Sequence, residues 1–302
     1  MGEAVPPCEQ AFRQTGASKV RTSFTDLVGC ALPIQLAAMG GVGTPALAAA
    51  VARAGGLGMV PIGVEHPKGQ GGAVGKNFLA VFNPSLDDVS EAARGGRVVE
   101  FFYAWPARAY VDAVKTAGAL AAWQIGSVEE ATAAEEAGCD FVIAQGTEAG
   151  GHVRGMTSLD DLLPRVLDAV RVPVVAAGGI ATGQRVAELL QRGAAGVRVG
   201  TLFLATPECD THPLYLERLI AATADDTVIT THYGEGWPDA PHRVLLTSLR
   251  AARQSGWQLT TPPTRSANEG VESMAMYAGT GVGSVVELRP AREVVADLCS
   301  EL

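Results

Sequence analysis

Eight short apolar runs recur along the chain, most of them separated by longer stretches with helical patterning. This alternation restricts the fold more than any other feature. The runs cover residues 34–38, 57–60, 77–82, 98–103, 119–124, 141–145, 174–177 and 197–199. Nearly continuous apolar strands are buried on both faces, which is the signature of parallel pairing. Between them, residues 44–54, 127–137, 160–170 and 182–192 read as helices, several opening at a Ser, Thr or Asp cap. Eight strand-and-helix units predict a closed (β/α)8 TIM barrel of the α/β class. An open doubly wound sheet would carry Gly-x-Gly-x-x-Gly at its first turn, and Gly40-Gly41-Val42-Gly43 does not supply it. The expected organisation is an N-terminal extension (1–30), the barrel (31–225), and C-terminal helices and loops packing on it (226–302), with helices near 213–223, 242–255 and 290–299.

Composition narrows the function. With 302 residues and 47% hydrophobic content, a large core can be buried. A net charge of -9 disfavours a nucleic-acid surface or an anionic membrane and favours a small-molecule partner. The five cysteines are scattered and form no Cys-x-x-Cys pair, so all are expected reduced, with no disulfide framework and no zinc site. His66, His212, His232 and His242 lack metal-ligand spacing, so no metal centre is expected. No secretory signal and no apolar stretch of roughly 18 residues is present, so a cytoplasmic location is expected. The oligomeric state stays open, a homo-oligomer included.

The chemistry-bearing residues fall at strand ends. In a barrel, ligands sit at the C-terminal ends of the strands, and phosphates sit at the loops after strands 7 and 8. Here strand 7 runs into Gly178-Gly179, and strand 8 ends in Arg198-Val199-Gly200-Thr201, where bare amides and a hydroxyl suit an anion. Helix-capping glycines are the plain alternative. Strand 6 ends at Gln145 and opens into Gly146-Thr147-Glu148-Ala149-Gly150-Gly151-His152, which brings one proton-transfer group to the same mouth. Glu148 reads equally as a loop charge. Asn77, taken as the start of strand 3, suits a heteroaromatic ring or a turn, and Met39, at the end of strand 1, suits a ring face or the core.

The strings Gln145 to His152, Ala176-Ala177-Gly178-Gly179-Ile180-Ala181 and Val199 to Thr206 resemble the nitronate monooxygenase family, formerly called 2-nitropropane dioxygenases. The likeness extends to Pro33 through Val42 and to Ala54-Gly55-Gly56-Leu57-Gly58, covers residues 31 to about 290, and weakens beyond 206. The resemblance implies non-covalent FMN, with Asn77, Gln145, Gly150, Gly179, Arg198, Val199, Gly200 and Thr201 at cofactor-binding positions, to which the strand-end reading adds Met39 and Gly178. It implies that His152 is catalytic, taking the α-proton of a nitroalkane or contacting a nitronate, with dioxygen completing conversion to a carbonyl compound and nitrite. Family members often read Gly-Gly-His-Arg-Gly, whereas Val153 intervenes here before Arg154.

Flavin barrels of the same superfamily include enoyl-acyl-carrier-protein reductases and NADH-dependent quinone reductases, so an FMN-dependent NAD(P)H reductase is the alternative enzyme. A non-catalytic flavin-binding protein is the alternative outside catalysis. Because the net charge repels an anionic nitronate, Lys76 and Arg154 are the cations expected near the flavin.

Overall fold

Eight parallel strands close into a barrel in the computed structural model, which describes residues 20–67, 71–238 and 240–302. The strands are β1 (Ile34–Leu36), β2 (Leu57–Val60), β3 (Ala73–Leu79), β4 (Val98–Phe102), β5 (Leu120–Ile125), β6 (Phe141–Gln145), β8 (Val174–Ala177) and β9 (Gly196–Val199). They pair in that order, and β9 closes on β1 through the register Gln35 with Arg198. A two-residue strand, β7 (Gly151–His152), leaves the barrel after β6. On the outer wall lie α2 (Pro45–Arg53), α3 (Leu86–Gly95), α4 (Arg108–Thr116), α5 (Val128–Ala137), α6 (Leu159–Ala169) and α7 (Gly183–Gln191). Thr44, Ser85, Ser127, Ser158 and Thr182 each accept an amide of the first turn, which starts the helix where the strand's loop ends.

The barrel interior divides by height. Its lower half is apolar: Leu57, Met59, Ala73, Val98, Ala122, Phe141, Ile143 and Val175 pack together with Phe24 and Val28. Phe24 and Val28 belong to α1 (Ser23–Val28), which plugs the N-terminal mouth. The Phe24 ring meets Phe141 edge-on at 5.5 Å, and a Cβ on Gly196 would come within 3.1 Å of it. Two or four residues further along the same strands, the same face carries Asn77, Glu100, Gln124 and Gln145, all buried. Gln35 and Arg198 join them from β1 and β9.

Past β9 the chain departs from the expected pattern. The helix α8 (Thr201–Leu204) is a single turn, and α9 (Pro213–Ile220) follows. Residues 242–255 are not one helix: β11 (His242–Leu245) comes first, then α10 (Leu246–Ser255). The cause is pairing, because β11 lies between β10 (Thr227–Thr230) and β7 in an antiparallel sheet. The last helix, α11 (Ala291–Leu298), packs against α2, α7 and α8, taking the outer-wall place that the short α8 cannot fill. Strand β3 begins at Ala73, so Asn77 is its fifth residue rather than its start, and β1 ends at Leu36, leaving Met39 in the loop beyond. The thiols of Cys139, Cys209 and Cys299 form no disulfide among the described residues, and Cys8 lies outside the described residues. Among the described residues, no helix is long and apolar enough to cross a membrane.

Candidate active site

A cavity of about 430 Å³ opens at the C-terminal end of the barrel, within the size range of small-molecule sites. Met39, Asn77, Gln145, Gly150, His152, Gly178, Gly179, Arg198, Val199, Gly200 and Thr201 all line it, so residues from β7 and from five barrel strands and their loops converge on one space.

Its floor is a buried polar cluster. Glu100, fully buried, accepts from Gln35 Nε2 at 2.7 Å and Asn77 Nδ2 at 2.8 Å, and it pairs with Arg198 at 2.8 Å. A buried charge needs this degree of compensation. Arg198 NH1 has no protein partner, leaving one guanidinium donor at the cavity floor. Glu100 and Gln35 were not singled out from the sequence. The signal was present in Glu100, the one charge inside Val98-Val99-Glu100-Phe101-Phe102.

One wall is nearly bare backbone. Gly178 and Gly179 have φ of 118° and 66°, a region that favours glycine, and a Cβ on Gly179 would sit 2.9 Å from Thr280 Oγ1. A Cβ on Gly150 would fall 2.5 Å from the Gly279 amide nitrogen. Thr201 Oγ1 accepts from Gly279 N–H at 3.0 Å, so its own proton is free to donate into the cavity. The chain around Gly279 and Gly281 thus presses on the cavity loops, whereas a Cβ on Gly283 would meet nothing nearer than 3.8 Å.

His152 also lines the cavity. Its imidazole stacks on Trp237 at 3.6 Å and 12°, with Tyr103, His242 and Tyr277 at 5.2 to 5.8 Å. Nε2 is buried with no hydrogen-bond partner. Burial, helped by the neighbouring His242, pushes the His152 pKa down to about 3, so the ring is neutral at physiological pH. His242 holds a fixed tautomer: Nδ1 donates to Ala240 O at 2.9 Å, and Nε2 accepts from Tyr233 N–H at 3.3 Å. Tyr103 is a further residue that sequence reasoning missed. Its backbone φ is 66°, a strained conformation for a bulky residue, and its ring touches His152, Trp237 and the Arg154 guanidinium.

Three candidates fall outside the cavity lining. Glu148 accepts from the Leu159 amide at 3.0 Å and so caps α6. Lys76 alternates with Asn77 along β3 and lies near His66, which is not a lining residue and whose pKa is lowered first by burial and second by the Lys76 charge. Arg154 pairs with Glu130 on α5 at 2.6 Å. Among the described residues, Arg198 is the one Lys or Arg in the cavity lining, and neither Lys76 nor Arg154 is part of it. Among the described residues, no group of three His, Cys, Asp or Glu side chains could hold a metal ion.

The model of the nitronate monooxygenase family matches residues 73–301. The chain belongs to the nitronate monooxygenase family. It is accordingly an enzyme, an oxidoreductase of a flavin-dependent family. Nitronate monooxygenase from Pseudomonas aeruginosa is 31% identical, over 92% of this chain and 98% of that protein. A (3aS,4S,5R,7aS)-5-hydroxy-7a-methyl-1-oxo-octahydro-1H-indene-4-carboxyl-CoA dehydrogenase from Mycobacterium tuberculosis is 35% identical over 79% of this chain and 70% of that one. Among solved structures, FabK from Thermotoga maritima superposes with a TM-score of 0.81 at 33% identity, covering 93% of this chain and 96% of that chain.

Proposed function

We propose that the chain binds FMN across the cavity and oxidises nitroalkanes or their nitronates with dioxygen, giving a carbonyl compound and nitrite. The observation that carries this reading is His152: a neutral imidazole with a buried, unpartnered Nε2 on the wall of a cavity that also has a glycine cradle and a guanidinium donor. The residues fit the cofactor. Arg198 NH1 and Asn77 suit the hydrogen-bonding edge of a flavin ring, and Met39 suits its face. The amides at Gly178, Gly179 and Gly200 and the Thr201 hydroxyl suit its phosphate. Gly150 and Val199 bring backbone close to the ring, and Gln145 reaches it with what its amide has left over.

When bound, FMN supplies the electron acceptor. The chain supplies the proton acceptor at His152 Nε2 and an aromatic box of Trp237, Tyr103 and Tyr277 that keeps water from it. Because Arg198 is bound to Glu100 and His152 is uncharged, a neutral carbon acid suits the space better than an anion.

A second reading, NAD(P)H-dependent reduction or dehydrogenation of an acyl thioester, is favoured by the name of the Mycobacterium relative, a carboxyl-CoA dehydrogenase. It draws further support from the exposed apolar rim at Ile62 and Phe82. Anaerobic mixing of the flavin-loaded protein with a nitroalkane, its nitronate, NADH and NADPH separates the two. Bleaching of the flavin by the nitro compounds alone supports the first reading, and rapid full bleaching by a nicotinamide moves the assignment to the second.

A further inference from the structure

We propose that Gln145 is a positioning residue for His152: its side-chain amide stands in for a missing strand and fixes the height and direction of the imidazole. The inference rests on His152 being the proton acceptor and goes beyond a flavin contact for Gln145.

The geometry is that of a ladder. Gln145 Nε2 donates to the His152 carbonyl at 2.9 Å, and Gln145 Oε1 accepts from the Arg154 N–H at 3.1 Å. In a parallel sheet, one residue of a strand makes this same pair of bonds, to the carbonyl before and the amide after the residue it faces. A side-chain amide carries the peptide group's donor and acceptor, so it can replace that neighbour. His152 needs one. Its other edge is taken by β11, where His242 pairs with His152, and Val153 N–H goes to Pro241 O at 2.8 Å. Without Gln145, the half-buried edge facing the barrel would be bare, and unpaired backbone groups shielded from water are costly.

The clamp is stiff on both sides. Gln145 is the last residue of β6, buried, with its backbone in register with Ala177 of β8. Beyond it, Arg154 Nε is bound to Glu130, whose second oxygen accepts from Gly126 N–H at 2.9 Å. The segment carrying His152 is thereby tied to β6, α5 and β11, although the loop before it is rich in glycine.

The charge-altered isostere makes the test. Gln145→Glu keeps the size and the acceptor but sets a carboxylate against the His152 carbonyl. Gln145→Met removes both bonds while keeping bulk, and serves if the first variant folds poorly. The flavin-loaded proteins are compared. The Arg154 amide should exchange with solvent at least about tenfold faster in the variants, and unchanged exchange overturns the clamp whatever the activity does. Turnover of a neutral nitroalkane should fall about 10- to 100-fold with KM moving much less, while the nitronate, which has no proton to lose, falls less than about threefold. Equal losses on the two substrates overturn the proposal. The double variant with His152→Ala should be no slower than His152→Ala alone, whereas losses that multiply would show Gln145 acting by another route. If His152→Ala leaves nitroalkane oxidation intact, the functional reading fails, and amide exchange still decides the clamp.

Discussion

The lower and upper halves of the barrel interior are built on the same strands and do opposite things. Below, Phe24, Phe141, Ile143 and Met59 fill the space against the plug helix α1. Two or four residues later on those strands, the inward face turns to Asn77, Glu100, Gln124 and Gln145. The lower layer removes apolar surface from water and holds the closed sheet together. The upper layer sacrifices that gain to keep polar groups buried, and two of its members, Gln35 Oε1 and Arg198 NH1, have no partner at all. Buried polar groups that are left unpaired point to a site built for something else to complete.

Five results would break or sharpen this division, and the largest concerns the rim above the upper layer. His152→Ala should retain flavin while nitroalkane oxidation falls by about two to four orders of magnitude, with nitronate oxidation spared in part. Steady-state rates on both substrates check it, and equal losses would return His152 to a binding role. Next, Glu100→Gln removes the countercharge of buried Arg198 and should cost about 3–5 kcal/mol of stability while also weakening flavin binding. Denaturant unfolding with and without FMN reads both effects. Phe24→Ala should cost a comparable amount, about 3–5 kcal/mol, by opening a cavity in the lower layer, but leave the flavin spectrum unchanged.

The next effect depends on pH. His152 has a folded pKa of about 3 against an ordinary value of 6.5, so between those values the unfolded chain binds a proton that the folded chain refuses. Stability should therefore fall as pH drops from about 6.5 towards 3, and His152→Phe should flatten that slope in thermal melts. The smallest effect is expected at Lys76. Lys76→Met should change nitronate KM by less than about threefold, because a half-buried, solvent-screened charge on the outer face of β3, outside the cavity lining, contributes little there.

The lower layer was the more legible half. Runs such as Phe141-Val142-Ile143 are apolar on both faces, so eight strands and their order could be read without knowing which residues point inward. The place of Gly178-Gly179 in the cavity lining was also readable, because the pair follows the C-terminal end of a barrel strand. Strand β3 was misplaced because Ala73-Val74-Gly75-Lys76 lacks a continuous apolar signal. The sheet of β7, β10 and β11 was hidden because its pairing joins residues about 90 positions apart, His152 with His242. For the same reason no local pattern could place Trp237 and Tyr103 against His152. Glu100 was legible in principle as a carboxylate inside an apolar strand. Lys76 and Arg154 were chosen by nearness in sequence, but strand alternation turns one away and Glu130 claims the other.

The division of labour is tested most directly by the FMN dissociation constant of three proteins: the wild type, Phe24→Ala and Thr201→Val. The account predicts saturable binding by the wild type, an unchanged constant for Phe24→Ala despite its lower melting temperature, and a constant about tenfold weaker for Thr201→Val, about 1.4 kcal/mol for one lost donor. No saturable binding by the wild type, or an equal loss in both variants, would contradict it.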